Sequence, residues 1–285
     1  MKKSIYFILI TILSGTLNLN AQTVFKFNTK FYDAIDKWVV FPKSAKDSLY
    51  SFGFIYLDVV AGPTFEYEGR INASGTELEK LVEDPKTKKS SFKYRLGKNT
   101  SAVYVLSEPE LKQLDLKPEP DWLSIYNSAD KISYQTALGS MYNANGKPDI
   151  ALGILTKVYN EDKQNEKLLF ELAYSYNALS RYNDAVKVLS AALKVQPTNG
   201  LFYKELVYAY TKADKLDEAE KTYKDFIDKA ANNGYLYETA YNLAYSYFVK
   251  ADKKGFEKWA TEVEKSNQPQ FVKNIQAMRQ SLEKQ

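Results

Sequence analysis

The chain has 285 residues, 45% of them hydrophobic, which is enough for about two globular domains. Its 39 basic and 35 acidic residues nearly balance, and without the concentrated basic face of a nucleic-acid-binding protein we expect no nucleic-acid partner. It contains no cysteine and no histidine, which excludes disulfides, cysteine- or histidine-dependent catalysis and the usual ligands of zinc and iron.

The N-terminus has the layout of a secretory signal peptide, residues 1–21. Lys2 and Lys3 precede an apolar stretch over residues 5–13, and a polar tail leads to Ala21. The apolar stretch is shorter than the roughly 20 residues that a membrane-spanning helix needs. We therefore expect cleavage between Ala21 and Gln22, export to the periplasm or the cell exterior, and no membrane span after the signal is removed.

Residues 22–120 predict a small α+β domain with antiparallel hairpins. A β-branched and aromatic run at 48–60 and an alternating run at 64–71 are joined by turn residues, which predicts one β-hairpin. A second hairpin is predicted from residues 91–96 and 102–107. Short helices are predicted over residues 30–37, 76–83 and 108–114.

The first hairpin raises an enzymatic alternative. Glu66 and Glu68 lie on one face of a predicted strand and Asp58 lies on its partner, and paired carboxylates can hydrolyse glycosides. Acidic residues that alternate with aromatic ones are typical of the solvent face of an edge hairpin, and this is the stronger interpretation. Because no nucleotide-binding, calcium-binding or nucleophile motif accompanies them, we expect a protein that is not an enzyme, with no catalytic residue, metal or cofactor.

The remainder, residues 121–285, contains a repeat. A boundary is predicted at 116–121, and Trp122 is expected to seat the helical part against the first domain. The pentapeptide LAYSY occurs at 172–176 and again at 243–247, with LVYAY at 206–210 between them. Apolar residues recur at helical spacing around each copy, which predicts pairs of amphipathic helices.

The repeat resembles the tetratricopeptide repeat (TPR), whose unit of 34 residues reads W-x2-L-G-x2-Y, then A-x3-F, then P. Repeat two reads Leu169-x2-Leu172-Ala173-x2-Tyr176, then Ala185-x3-Leu189 and Pro197. Repeat four is shifted by three residues, with Gly255 and Trp259 at the Ala and Phe positions. The resemblance covers residues 131–285 and implies an all-α solenoid of about four repeats, capped by a helix over 270–283.

The two tyrosines of each YxY motif are expected to face opposite ways, since they stand about 200° apart on a helix. One set is expected in the core: Tyr142, Tyr176, Tyr210 and Tyr247. The other set, Tyr174, Tyr208 and Tyr245, is expected on the first helices, which in such solenoids line the concave binding face. The alternative is that these three tyrosines only pack against one another between repeats.

The predicted groove comprises seven residues, Phe170, Tyr174, Asn177, Lys204, Tyr208, Tyr241 and Tyr245. Chaperone adaptors of the family hold a C-terminal carboxylate with Asn and Lys or Arg, at positions where this chain has Ser140, Tyr174 and Tyr208. The resemblance thus implies an exported, non-enzymatic adaptor or scaffold that binds an apolar or aromatic protein or peptide segment. One alternative is a module that binds cell-envelope glycan on Tyr174, Tyr208 and Tyr245, which together form a tyrosine ladder. The other is a carboxylate hydrolase in the N-terminal domain.

Overall fold

The computed structural model describes residues 25–74, 77–81, 92–126, 130–230, 233–266 and 268–284. The predicted signal peptide and its cleavage site lie outside these residues. Within them, the chain folds first as an antiparallel sheet with short helical segments and then as a stack of paired helices. The boundary between two domains stays a prediction, because the sheet and the stack share one apolar cluster.

The sheet is built around the predicted first hairpin, which is confirmed. The strands are β1 (Lys37–Val40), β2 (Tyr50–Asp58), β3 (Gly62–Ser74), β4 (Glu77–Lys80), β5 (Lys93–Arg95) and β6 (Tyr104–Val105). Their order is β4-β3-β2-β1-β6, with β5 also paired to β3, and all pairs are antiparallel. Strand β3 is long enough to pair with β5 along its first half and with β4 along its second.

The predicted second hairpin is wrong. Strand β5 pairs with β3, whereas β6 pairs with β1 at the opposite edge of the sheet. Strand β1, which the sequence analysis did not predict, pairs with β2 along one edge and with β6 along the other. Long-range pairing with two different strands therefore separates two segments that are neighbours in sequence.

The helix predicted over 76–83 is also wrong in its described part, because residues 77–80 form β4. Leu78 is 6% exposed while Glu77 and Glu79 are exposed, which is the two-residue period of a strand. The Leu78 N–H donates a hydrogen bond to the Gln113 side-chain oxygen, Oε1, at 3.0 Å. The second half of β3 has an edge to which this segment can pair, so a sequence that favours a helix forms a strand instead. Residues 82 and 83 lie outside the described part.

Of the other short helices, one is confirmed. It is α1 (Glu108–Gln113), where the Glu110 carboxylate accepts from the Ser107 N–H at 2.7 Å in a capping box. The helix predicted over 30–37 shrinks to a 3₁₀ turn, Phe31–Asp33, because Lys37 already begins β1.

The two faces of the sheet are covered by different parts of the chain. On β2, Phe52, Phe54 and Tyr56 pack under α1 and the segment that follows it. Ile55 and Leu57 point to the other face, which packs against Ala137 and Met141 of the first helix of the stack. The expectation for Trp122 is wrong, since its ring packs edge-on against Phe54 and Tyr56 on the face away from that helix.

The helical repeats are confirmed. The helices are α2 (Lys131–Ala144), α3 (Pro148–Tyr159), α4 (Glu166–Ala178), α5 (Tyr182–Val195), α6 (Gly200–Lys212), α7 (Leu216–Ala230), α8 (Leu236–Val249), α9 (Lys253–Glu264) and α10 (Pro269–Glu283). The first eight form four pairs, and α10 packs on α8 and α9 as the predicted cap.

Small residues let the two helices of each pair approach closely, and they fix the register of repeat four. Ala151, Ala185 and Ala219 are fully buried at equivalent positions of α3, α5 and α7. At the fourth such position stands Gly255, where even a Cβ would clash with the ring of Tyr247 on α8. The A-x3-F motif therefore continues into α9, whose Trp259 is buried.

Each first helix ends in the same left-handed turn, which is the main local strain of the stack. The turn residues are Gly146 (φ 71°), Ser180 (φ 58°), Asp214 (φ 60°) and Ala251 (φ 55°). In each repeat the following N–H donates to the carbonyl of the second tyrosine of its YxY motif or its equivalent, at 2.8 to 3.0 Å: Tyr142, Tyr176, Tyr210 and Tyr247. Only the first repeat uses glycine, which adopts this conformation without steric cost.

We expect Ala251→Gly to raise the free energy of unfolding by about 1 kcal/mol, because it removes a left-handed alanine. The reciprocal change Gly146→Ala should lower it by about 1 to 2 kcal/mol for the same reason. Urea unfolding of both variants beside the parent measures the two effects. Changes of the same sign in both variants would contradict this account of the turns.

Candidate binding groove

The tyrosines expected in the core are half-buried and pack against the apolar clusters. Tyr176 and Tyr210 lie against the cluster that joins repeats one to three, and Tyr247 lies against the cluster of repeats three and four. Tyr142 also donates its hydroxyl to the carbonyl of Tyr32 at 3.2 Å, beside the sheet. These four side chains therefore hold the stack together.

The other tyrosines stand on the first helices of successive repeats. The Tyr174 and Tyr245 side chains are 40% and 42% exposed, and Tyr208 between them is half-buried. Within the described residues none of these three rings is in ring contact with another. Lys212 lies between two of them, 5.5 Å from the ring centre of Tyr208 and 5.7 Å from that of Tyr245.

Two adjoining clefts run along this face, each with a volume of about 310 Å³. The first cleft is lined by Tyr174, Asn177, Lys204, Glu205, Tyr208, Glu238 and Asn242, among others. The second cleft is lined by Tyr208, Lys212, Tyr241, Asn242 and Tyr245, among others. Because Tyr208 and Asn242 belong to both, the clefts form one continuous groove.

The structure brings six of the seven predicted groove residues into these two clefts. The exception, Phe170, lies beside the first cleft, with its ring centre 6.3 Å from that of Tyr174. Tyr241 lines the second cleft, but its ring also stacks on Phe271 of the cap helix at 5.1 Å. The role of the seven predicted groove residues in binding stays a prediction.

Sequence reasoning predicted Lys204 in the groove but missed its acidic side chains, Glu205 and Glu238. Lys204 lies 3.4 Å from both the Glu205 and the Glu238 carboxylates, and Asn177 donates to Glu205 at 3.2 Å. One signal could have found Glu205, since it stands 34 residues after Glu171, which has the same kind of asparagine partner. Glu238 carries no such signal, because only the packing of α8 against α6 brings it to Lys204.

Burial shifts two titrating groups in the groove. It raises the pKa of Glu205 above its ordinary value, although Lys204 and Asn177 lower it in part. Burial also raises the pKa of the Tyr208 hydroxyl, with smaller contributions from Tyr182, Glu205 and Tyr174. The contacts of the Glu205 carboxylate with Lys204 and Asn177 therefore offset only part of the cost of burying its charge.

Asp58, Glu66 and Glu68, the residues of the enzymatic alternative, each form an ion pair with a different basic residue on another strand. The ion pairs are Glu66 with Lys93 at 3.6 Å, Glu68 with Lys80 at 2.9 Å, and Asp58 with Arg95 at 3.7 Å. This arrangement neutralises the carboxylates in the way that cross-strand pairs stabilise a sheet.

A larger cleft, of about 600 Å³, lies on the sheet. It is lined mainly by aromatic and apolar side chains, among them Phe41, Phe65, Tyr67, Phe92 and Tyr94. The described residues contain no group of three or more acidic side chains placed to hold a metal ion, and none of the helices described is long and apolar enough to cross a membrane.

The chain is similar to several solved structures over about half of its length. A thermophilic TPR protein of Thermus thermophilus is 16% identical, with 53% of this chain and 82% of that chain covered and a TM-score of 0.44. MamA MSR-1 is 22% identical, with 48% and 79% covered and a TM-score of 0.39. TPR-like repeats of a putative kinesin light chain from Podosopora anserina are 19% identical, with 54% and 82% covered and a TM-score of 0.40.

No family model matches the chain, and no curated protein matches it. The helical half is a TPR-like solenoid on the geometry of its own four helix pairs, with their repeated small residues and left-handed turns.

The pKa of Glu205 has a consequence for stability. Between its unfolded value of about 4.3 and its raised folded value, the folded protein holds a proton that the unfolded chain has released, so stability falls as pH rises. The variant Glu205→Gln lacks this titration. We expect its free energy of unfolding, relative to the parent, to increase from about pH 4 towards neutral pH.

Urea unfolding at several pH values measures this difference. Asp149→Asn is the matched control, because Asp149 is an exposed carboxylate on α3, away from the groove. A difference between Glu205→Gln and the parent that does not change with pH would show that Glu205 titrates alike in both states.

Proposed function

We propose that this chain is an exported, non-enzymatic adaptor that binds an extended or helical segment of a partner protein in the groove of its TPR-like repeats. The observation that carries the proposal is the pair of adjoining clefts along the first helices, which contain Tyr174, Tyr208 and Tyr245. Two of these rings are exposed, although tyrosine is a residue that can bury a large surface.

Tyrosine is suited to such a site on physical grounds. It contributes apolar area and a hydrogen-bonding hydroxyl, and it loses little rotamer entropy on binding. The length of the two clefts along successive helices favours a chain segment over a compact small molecule. The same rings would stack on sugars, so glycan binding is a second outcome that the experiment must separate.

The test is a pull-down with the mature chain, residues 22–285, and a triple variant, Tyr174→Ala, Tyr208→Ala and Tyr245→Ala. We expect a protein from the cell envelope to be retained by the parent and lost with the variant, as read by mass spectrometry, because truncated aromatic anchors remove most binding energy at interfaces. Equal helical circular dichroism is required of all proteins compared.

The matched control replaces three exposed apolar residues on the second helices, Ile150→Ala, Val195→Ala and Ile227→Ala. It should retain the partner. Retention by the groove variant as well would contradict the proposed site. Saturable binding to protein-free envelope polysaccharide, lost with the groove variant, would replace the protein partner with a glycan.

Export is supported by the residue pattern before Ala21 and is tested separately. We expect the protein recovered from its native cells to have the mass of a chain that starts at Gln22, in the periplasmic or extracellular fraction. A cytoplasmic protein that retains residues 1–21 would contradict this part of the proposal.

A further inference from the structure

The polar network between neighbouring first helices is built twice, and its first copy is complete. Glu171 accepts hydrogen bonds from Ser140 at 2.6 Å and from Asn143 at 2.8 Å. Ser175 in turn donates its hydroxyl to Asn143 Oδ1 at 2.9 Å. Both the carboxylate and the amide oxygen of this copy are therefore satisfied by the chain itself.

The second copy, 34 residues further on, lacks two of these donors. Asn177 and Glu205 repeat the central pair, with a hydrogen bond of 3.2 Å between them. The position of Ser140 is now taken by Tyr174, whose side chain is turned to solvent, and the position of Ser175 is taken by Ala209. In the second copy, Glu205 and Asn177 thus lack the hydrogen bonds that the two serines donate in the first copy.

The missing donors leave two acceptors of the second copy with fewer hydrogen bonds than their counterparts in the first. Asn177 is only 6% exposed, and its Oδ1 is buried, accepts no hydrogen bond from any described residue and is shielded from solvent. The acceptor that faces the cleft is the Glu205 carboxylate, which lacks the hydrogen bond that Ser140 donates to Glu171. Asn177 lines the first cleft, together with Glu205.

The charge of the first cleft favours a cation as the donor to Glu205. Two carboxylates, Glu205 and Glu238, share the single ammonium of Lys204, which leaves one negative charge in excess. Lys204 lies 3.4 Å from each, so both carboxylates keep room to accept further hydrogen bonds. An anionic group would be repelled here, and a neutral donor would leave the excess charge unmatched.

The aromatic walls of the cleft suit a cation as well. In the neighbouring second cleft, Lys212 already lies close to the rings of Tyr208 and Tyr245. The first cleft has the equivalent walls, Tyr174 and Tyr208, but no described cation lies over the ring of Tyr174. A cation there would gain the attraction of an aromatic face.

We propose that the first cleft is a subsite for one cationic side chain, a lysine ammonium or an arginine guanidinium, of the peptide segment bound in the groove. The subsite rests on the proposed function, since it assumes a peptide ligand. The cation donates to the Glu205 and Glu238 carboxylates, between the rings of Tyr174 and Tyr208. The binding motif therefore contains a basic residue that this position selects.

The test uses a phage-displayed library of random peptides, selected on the mature chain. We expect the selected peptides to share a lysine or arginine at one position, flanked by apolar or aromatic residues. A synthetic peptide with that residue and its analogue with norleucine in place of lysine are then compared by isothermal titration calorimetry. Loss of the charge should weaken binding by about tenfold or more.

Two variants locate the effect in the first cleft. Glu205→Gln should weaken the lysine peptide by about tenfold and leave the norleucine peptide nearly unchanged. Glu238→Gln should also weaken the lysine peptide, because it removes the second carboxylate of the subsite. Asp149→Asn, which removes a carboxylate outside the groove, is the control and should bind like the parent.

The possible failures are distinguishable. Selected peptides without a shared basic residue, or a lysine peptide that binds Glu205→Gln and Glu238→Gln as it binds the parent, would overturn the subsite and leave the groove as a binding site. Selection of no peptide at all would contradict the proposed function, and the subsite would fall with it.

Discussion

The stack of helices depends on a contact where no more than a methyl group fits. Ala151, Ala185 and Ala219 are fully buried at this contact, and Gly255 takes the fourth place against the ring of Tyr247. A larger residue would separate the helices of a pair, and overpacking of this kind costs roughly 1 to 3 kcal/mol. Because this contact sets the spacing within each pair, it also sets which residues of the first helices face the groove.

The groove itself shows how a repeat can keep its architecture and change its chemistry. Asn143 with Glu171 and Asn177 with Glu205 occupy equivalent places, yet only the first pair is closed by its own serines. The solenoid tolerates the open copy because its stability comes from the apolar contacts between neighbouring repeats. A polar position that packing does not need is therefore free to serve a ligand.

The helical half could be predicted because its signals are local. The spacing of Leu172, Ala173 and Tyr176 and its recurrence along the chain were enough to place the helix pairs and six residues of the two clefts. The sheet was predicted only in its hairpin, where β2 and β3 are neighbours in sequence. The segment that contains Leu78 and the strand β1 were misjudged or missed, because their structure depends on which distant strand has a free edge.

The sequence by itself determined the repeat, the helix pairs and the face on which the tyrosine ladder lies, since each follows from residue spacing within about 34 positions. Only the tertiary structure decided that Lys204 sits between Glu205 and Glu238, that Asn177 has a buried oxygen without a partner, and that α2 packs against the sheet. These features arise where separate helices and strands meet. Hydrogen bonding and charge at such junctions depend on distances that spacing along one helix does not contain.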